Sequence, residues 1–362
     1  MVEFEPTFLV ERPEGQRVWV VRASGGHFVS HFRRDALMAI GHLNEVGLPN
    51  GPLLNPSSIE FERALKVADG KRKQNSITSH AKQAEVFCCV IKEDDLVVTL
   101  DSRALMIGRV TGPAYVESAP VVIERADGIP DKMPHRLRRS VSWGPLIDRH
   151  SVPVALEMTL QAHQTVFNID RYWASVYHLL YPCFTFEGRL YLSANIKQQQ
   201  AIDNYSVSQL FSLLSGVEVM AKLLAEDSED WREYPQNLTE LGDQLDLALS
   251  SKAEFMSPGT VWSTLLTDPS AMAWAALIYV MLFGGNLVFF KADGLIDTHT
   301  RQKIWDRVLR LKKAHDVEKI KEKLKVEVPK LETEKLEVPA QKAKRTRRRS
   351  VAVPADDVDP GL

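Results

Sequence analysis

The chain has 362 residues, 44% of them hydrophobic and 25% charged, which is the composition of a globular protein with room for two domains. Its formal net charge of −2 at pH 7 excludes a uniformly basic nucleic-acid binder, so any basic surface must be local. The three cysteines have no metal-ligand spacing and the first residues lack the pattern of a signal peptide. We therefore expect a cytoplasmic protein.

Residues 1–170 alternate apolar runs with turn residues, a pattern that predicts strands. One β-branched run begins at Val18, and a similar run begins at Asp95, about eighty residues later. Between them, residues 58–84 carry apolar side chains at helical spacing. The pattern predicts a mixed β-barrel with an inserted helix as the N-terminal domain.

Residues 171–316 have mainly helical patterns, so the second domain is predicted to be α-rich and the whole chain α+β. Apolar residues fall on one helical face in 207–224, 238–249 and 300–315. Such a domain could contact a protein partner or self-associate. Residues 317–362 are rich in Lys, Glu and then Arg with few aromatics, which predicts a disordered charged tail.

The segment Ala271–Phe290 carries no charge and is close to the length of a bilayer span. Gly284-Gly285-Asn286 is a helix-stop signal, however, and it leaves only about 13 helical residues, a length typical of a buried core helix. We favour the core helix and keep the membrane segment as an alternative.

Six strand-like segments follow one another in the first domain: 19–26, 39–41, 95–99 with Asp101, 107–112, 135–136 with 141–143, and 164–167. Taken in order, they resemble the PUA-like (EVE-type) superfamily, in the form found as an N-terminal module of bacterial modification-dependent restriction systems. The resemblance covers residues 15–170 and implies a small β-barrel whose mouth accepts a flipped or modified nucleobase or a related small ligand. The chain departs from the family at Leu100, where proline is common, and at Gly144, where a bulkier residue is usual.

A base pocket needs an aromatic face, hydrogen bonds to the base edge, and small residues that let the backbone approach. The indole of Trp19 or Trp143 could provide the aromatic face, although Trp19 is equally well placed for the core. Asp101 could serve a turn instead of the ligand. The candidate ligand-binding residues are Trp19, Arg22, Ser24, Gly25, Asp101 and Trp143.

Two basic runs could contact phosphates without reading sequence, one beside the predicted barrel mouth and one in the tail. The alternative for the first run, and for Lys71-Arg72-Lys73, is a solvated loop. The candidate phosphate-binding residues are Arg136, Arg138, Arg139, Lys344, Arg345 and Arg347.

No complete catalytic, cofactor or metal motif is present in the sequence. His27 and His31 are four residues apart but lack a third ligand of suitable spacing, and Glu318-Lys319-Ile320-Lys321 lies in the charged tail. We therefore expect a non-catalytic protein without cofactor or metal that binds nucleic acid, DNA rather than RNA, as a sensor in a bacterial or phage restriction or antiviral defence system. The alternatives are a membrane-associated effector that senses a nucleotide, and a structural or assembly protein.

Overall fold

The computed structural model describes residues 9–53, 56–124, 128–254, 259–284, 298–329, 333 and 336. These residues form a mixed α+β structure with two large sheets and one two-stranded ribbon. The strands are β1 Val10–Glu11, β2 Val18–Val21, β3 Leu37–Ile40, β4 Gly51–Pro52, β5 Leu96–Leu100, β6 Ala104–Val116, β7 Val121–Glu124, β8 Pro130–Met133, β9 Leu137–Asp148, β10 Val166–Asn168, β11 Cys183–Phe186, β12 Arg189–Ile196, β13 Ser250–Glu254, β14 Gly259–Leu265 and β15 Val326–Glu327. The helices are α1 Val29–Arg34, α2 Ser58–Ala68, α3 Gln74–Glu85, α4 Val154–Thr159, α5 Trp173–Leu180, α6 Asn204–Ala225, α7 Leu238–Gln244, α8 Pro269–Phe283, α9 Thr298–His315 and α10 Val317–Leu324.

The first sheet contains both of the predicted β-branched runs. Its strands follow the order β10-β2-β5-β6-β9-β3, with β4 on β6. The two runs are direct neighbours, because β2 pairs in parallel with β5, which pairs antiparallel with β6. The ends of this path, β10 and β3, do not pair with each other among the described residues, so the sheet is not closed there.

Both faces of the first sheet are covered, which explains why β2, β3 and β5 are almost entirely apolar. Val18 and Val20 face one apolar cluster, whereas Trp19 and Val21 face another, as the period-two geometry of a strand requires. The first cluster includes α4 and α5 residues, and the second includes α1, α2 and α3 residues. Strands buried on two faces lose the polar alternation of a half-exposed sheet.

The structure has two helices, α2 and α3, where the sequence predicted one inserted helix. A capping box of Ser57 and Glu60 starts α2, in which the Glu60 backbone N–H donates to Ser57 Oγ and the Ser57 backbone N–H donates to the Glu60 carboxylate. The helix ends before Asp69 and Gly70, and α3 begins at Gln74 and continues into a π-helical turn, Val86–Val90.

The second unit contains a sheet that the sequence analysis did not predict. Its strands follow the order β1-β11-β12-β14-β13, with β15 on β12. The helices α6, α8, α9 and α10 share one apolar cluster with this sheet. β1 belongs to this sheet although it precedes the first unit in the chain, because it pairs in parallel with β11 through Val10 and Phe184.

The apolar segment around Ala271 is a core helix over its described part. The predicted stop is confirmed, since α8 ends at Gly284, which adopts a left-handed conformation with φ of 73°. Fourteen of the fifteen residues of α8 from Pro269 are apolar or proline, and nearly all of those from Ala271 are buried. Residues 285–290 of the predicted segment lie outside the described residues.

Within the described ranges, only α6 has the length and hydropathy of a membrane span, and 61% of its apolar window is buried inside the protein. A buried ion pair interrupts this apolar helix: Lys222 Nζ lies 3.1 Å from Glu218 Oε1. The Glu218 carboxylate accepts the backbone N–H groups of Ala248 and Leu249, and the Lys222 ammonium donates to two further carbonyls. The pair thus fixes the chain between α7 and β13.

The prediction that a disordered tail begins at residue 317 is wrong for the first residues of that segment. Residues 317–324 form α10, whose Val317, Ile320 and Leu324 are buried, and Val326 pairs with Ile196 of the second sheet. The buried face of α10 consists of apolar residues spaced three and four apart, a helical pattern that the Lys/Glu composition of the segment masks. Residues 337–362 lie outside the described residues.

Candidate ligand-binding site

A cavity of about 340 Å³ lies at one end of the first sheet, where four of its strands begin or end. Its volume is at the small end of the range for ligand sites, roughly 300–1,000 Å³. The lining residues follow β2 or β3, or precede β9 or β10. They are Arg22, Ser24, Gly25, Gly41, His42, His135, His163 and Thr165.

The turn after β2 forms the exposed edge of the cavity. Ser24, Gly25 and Gly26 all have positive φ values, of 51°, 67° and 97°. A Cβ at Gly26 would lie 2.6 Å from the Cα of Asp101, so only glycine permits this close approach. The Asp101 carboxylate faces its own turn and accepts the backbone N–H groups of Arg103 and Ala104. The structure therefore places Asp101 beside the turn and not in the cavity lining.

His135 is held in place from three sides. A Cβ at Gly41 would lie 2.7 Å from its Cε1, and the Phe28 ring contacts it edge to face with centroids 5.1 Å apart. Asn44 Oδ1 accepts the Arg136 backbone N–H at 3.1 Å, which directs Asn44 Nδ2 towards His135 Nδ1 at 3.4 Å. Because an amide N–H faces Nδ1, this nitrogen is the acceptor, and Nε2 carries the proton of the neutral ring.

This tautomer determines what Ser24 presents to a ligand. Nε2–H of His135 donates to Ser24 Oγ at 2.8 Å, so the hydroxyl accepts from the protein. Ser24 is exposed, and no described group accepts its own proton. The hydroxyl of Ser24 is therefore available to donate to a ligand in the cavity. We call the set Asn44, His135 and Ser24 the hydrogen-bond relay.

His42 lines the cavity from the loop after β3. Its ring stacks on His80 with centroids 4.3 Å apart and an interplanar angle of 3°. Gln83 Oε1 accepts the backbone N–H groups of Thr165 and Val166, at 2.9 and 3.0 Å. The same oxygen lies 3.4 Å from His42 Nε2 and, because an amide oxygen can only accept, Nε2 is the donor. Gln83 of α3 thereby joins the inserted helices to β10 and to the cavity.

Arg22 supplies the cation of the cavity. Its backbone N–H donates to the Thr165 carbonyl at 2.9 Å, which continues the pairing of β2 with β10, and its Nη2 donates to the Leu160 carbonyl. Its Nε is buried without a protein partner among the described residues. Burial lowers the pKa of Arg22, and so does the nearby charge of Arg149. A buried N–H without an acceptor costs free energy, so the Arg22 guanidinium keeps unused hydrogen-bonding capacity.

His42 and His135 add no charge to the cavity at neutral pH. Burial is the main cause that lowers the pKa of His42 to about 4, with a contribution from His80, and burial together with Arg138 lowers the pKa of His135 to about 4. Both rings are therefore neutral at pH 7 and offer flat aromatic faces. Arg22 keeps the site electropositive, since none of the described lining residues is Asp or Glu.

The two predicted tryptophans lie in the core and not in the cavity lining. Trp19 is 4% exposed, and its indole N–H donates to the Asp95 carboxylate at 3.0 Å. Trp143 stacks on Phe32, with centroids 6.4 Å apart, and donates to the Leu37 carbonyl at 3.0 Å. Of the six predicted ligand-binding residues, the structure brings Arg22, Ser24 and Gly25 together at the cavity.

The predicted basic run, which extends from His135 into the first residues of β9, is largely buried, which corrects the expectation of an exposed run. Arg139 is 2% exposed and donates to the carbonyls of Phe87, Ile91 and Gly112, while Arg138 is 5% exposed and donates to those of His135 and Ala119.

Arg136 is partly exposed, and its guanidinium donates to Val46, Leu48 and Ser118. All three guanidinium groups thus satisfy backbone carbonyls. The other three predicted phosphate contacts, Lys344, Arg345 and Arg347, lie outside the described residues.

No group of three or more potential metal ligands occurs in the part of the chain that the structure describes. His27 Nε2 lies 3.3 Å from an Asp131 carboxylate oxygen, whereas His31 Nε2 contacts the carbonyl of the same residue at 3.0 Å.

The sequence analysis did not assign His42, His135, His163 or Thr165 to the site. Their only signal was that His135 and Thr165 belong to segments of the family resemblance. Comparisons with protein family models, curated proteins and solved structures find no match to this chain.

Proposed function

We propose that the first unit is a PUA-like (EVE-type) module that binds nucleic acid, DNA in preference to RNA, and accepts a nucleobase in the cavity. One observation carries this proposal: four of the six segments that resemble the family each contribute residues to the cavity. These are Arg22, Ser24 and Gly25 from the first segment, Gly41 from the second, His135 from the fifth and Thr165 from the sixth.

The chemistry of the lining supports a base as the occupant. The neutral imidazoles of His42 and His135 offer aromatic faces, and aromatic stacking is the sequence-tolerant part of base binding. The Ser24 hydroxyl and the Arg22 guanidinium are donors, so they fit the carbonyl oxygens and ring nitrogens of a base edge. The absence of acidic residues among the described lining residues favours a ligand that is attached to phosphates.

The cavity supports binding better than catalysis. Burial lowers the pKa values of His42 and His135 to about 4, far from the value near neutrality that suits a general base. We accordingly propose a non-catalytic reader of nucleic acid, suited to modified-base sensing in a bacterial or phage defence system. Its basal affinity would come from the phosphate backbone and its selectivity from the cavity.

The test compares DNA oligonucleotides that carry one unpaired base, unmodified or modified at C5 of cytosine, with the same oligonucleotide carrying an abasic site. Fluorescence anisotropy at low salt should show tighter binding of a base-containing DNA. Ser24→Gly removes the donor without a backbone penalty, because glycine tolerates positive φ. We expect it to reduce affinity for the base-containing DNA by about fivefold to tenfold, the value of one hydrogen bond.

Ser102→Gly is the matched control, because Ser102 is exposed in a bend and lies outside the cavity lining. It should leave the affinity unchanged. Equal affinity of the wild-type chain for base-containing and abasic DNA would refute the cavity as a base site, and no binding of either would refute the nucleic-acid reader.

A further inference from the structure

The two inserted helices, α2 and α3, carry exposed cations beside the cavity. Residues 58–85 contain six Lys and Arg against four Asp and Glu, although the whole chain has a net charge of −2. Arg72 is the cation of this segment that forms ion pairs, with Asp69 and Glu45. This part of the surface is therefore electropositive. The remaining cations are exposed and form no ion pair with a described residue: Arg63, Lys66, Lys71, Lys73 and Lys82.

Three of these cations lie at the end of the helix pair where α2 connects to α3. Lys66 belongs to the last turn of α2, and Lys71 and Lys73 belong to the connection. Two of the four carboxylates, Glu60 and Glu85, lie at the opposite end, where a backbone N–H of α2 donates to Glu85 at 3.1 Å. The charges are thus separated along the helix pair. We call Lys66, Lys71 and Lys73 the connection patch.

Arg72 holds this connection against the rim of the cavity. Its Nη2 lies 2.6 Å from the carboxylate of Glu45, which follows His42 in the same loop. Its Nη1 donates to His80 Nδ1 at 3.3 Å, and the His80 ring stacks on the ring of His42. The patch residues on either side of Arg72 have Cα atoms about 3.8 Å from its own. The connection patch therefore lies beside the part of the lining that His42 forms.

The arginines of the predicted basic run leave little donor capacity for phosphates. Arg138 and Arg139 donate to backbone carbonyls, and the Arg136 guanidinium donates to two carbonyls and a hydroxyl. The phosphates of a DNA strand at the cavity would therefore be bound by other cations of the first unit. An ammonium group binds phosphate as a point charge, without the fixed fork of a guanidinium. The exposed lysines of the connection patch can thus contact a backbone of any sequence.

We propose that the connection patch binds the phosphate backbone of the DNA strand whose base enters the cavity. This inference rests on the proposed function, and it assigns phosphate binding to residues separate from Arg22 and Ser24. Each phosphate that a cation neutralises releases counterions, so the logarithm of the binding constant falls linearly with the logarithm of the salt concentration. Phosphate contacts carry no information about the base. The connection patch should therefore set the salt dependence of binding, and the cavity its preference for a base.

The experiment measures the affinity of the full chain for the base-containing and abasic oligonucleotides over a series of NaCl concentrations. The patch variant replaces Lys66, Lys71 and Lys73 by Gln. We expect the slope of the salt dependence to become shallower by about 2 to 3, since each phosphate contact contributes about 0.7–0.9. Both DNAs should bind about tenfold more weakly or worse at 0.1 M salt, and the ratio of their affinities should stay unchanged. The matched control removes the same charge from exposed lysines of the second unit that form no ion pair with a described residue: Lys252, Lys313 and Lys319, each replaced by Gln.

Ser24→Gly should do the reverse, because it lowers the ratio of the two affinities and leaves the slope unchanged. A slope that the patch variant does not change, or that the control variant lowers as much, would overturn the connection patch, while a preference of the wild-type chain for the base-containing DNA would still support the cavity. Equal affinity of the wild-type chain for the two DNAs, with a shallower slope in the patch variant alone, would overturn the base site and support the patch as a phosphate-binding surface. No binding by the wild-type chain would overturn both.

Discussion

Gly41→Ala should disable the hydrogen-bond relay by displacing the His135 ring. The new Cβ would lie 2.7 Å from Cε1 and 2.8 Å from Nδ1 of His135, whereas ordinary contact begins at 3.4 Å. The ring must therefore move by about 0.7 Å, which is enough to break the 2.8 Å bond to Ser24 and the 3.4 Å contact with Asn44. Two lost hydrogen bonds of about 1 kcal/mol each give an expected loss of about 2 kcal/mol in the free energy of unfolding.

The same displacement should change the titration of His135. Burial lowers its pKa to about 4 in the native protein. A ring that moves towards solvent regains hydration, so we expect its pKa to rise by about one unit or more towards the ordinary value of 6.5. Ligand affinity should fall as in Ser24→Gly, because the orientation of the Ser24 hydroxyl is no longer set.

The assay combines urea unfolding with an NMR titration of the imidazole, which reports both the pKa and the tautomer. Gly47→Ala is the matched control, since Gly47 lies in the same loop and a Cβ there meets no atom within 4 Å. The reasoning is refuted if Gly41→Ala leaves the pKa of His135 near 4 with the proton still on Nε2, or if Gly47→Ala has the same effects.

Three further predictions concern the buried polar groups. Glu218→Gln leaves the Lys222 charge buried without its counter-charge and should cost about 3–5 kcal/mol in urea unfolding, whereas the exposed Glu226→Gln should cost under about 0.5. Arg139→Met deprives three carbonyls of their donor and should lower the free energy of unfolding by about 3 kcal/mol. The exposed Arg33→Met should cause no measurable change, and equal losses in the two variants would contradict a stabilising role for the Arg139 hydrogen bonds. Burial lowers the pKa of His178 to about 3, so the unfolded chain binds a proton more readily than the folded chain does. The contribution of His178 to stability is therefore fully present above pH 6.5 and is lost as the pH falls below that value. Between pH 7 and pH 5 this residue should lower the free energy of unfolding by about 2 kcal/mol. Unfolding curves at both pH values would measure this difference, and His178→Gln should remove it.

The first sheet was predictable because its strands carry long β-branched runs that few helices tolerate. The second sheet was missed because its strands are short, lie between long helical segments and intersperse Ser and Thr with apolar residues, as Thr260, Ser263 and Thr264 do in β14. The helices α6 and α9 were predicted nearly to their ends from apolar periodicity, whereas charged composition hid the periodicity of α10.

The site was predictable only where its residues are close in sequence. Arg22, Ser24 and Gly25 follow one strand and belong to one segment of the resemblance. The imidazoles come from positions 42, 135 and 163, and single histidines in separate segments give no pattern until strand pairing brings them together. The arginines of β9 show the converse. Their charge predicted exposure, but Arg139 is buried because the carbonyls of Phe87 and Ile91 at the π-helical turn need a donor.

The pairing of β1 with β11 makes the second unit discontinuous along the chain. Its sheet takes one strand from before the first unit and the others from after it, so the cavity-bearing unit is an insertion between residues 11 and 183. A fragment that begins at residue 1 and stops at 170 would leave β1 without its partner, while one that begins near Gln16 would not. The pairing of Val10 with Phe184 also spans the largest sequence separation of any strand pair, larger than that of Trp19 with Asn168 in the first sheet. High contact order slows folding, so the inserted unit should form first during synthesis and the enclosing unit last.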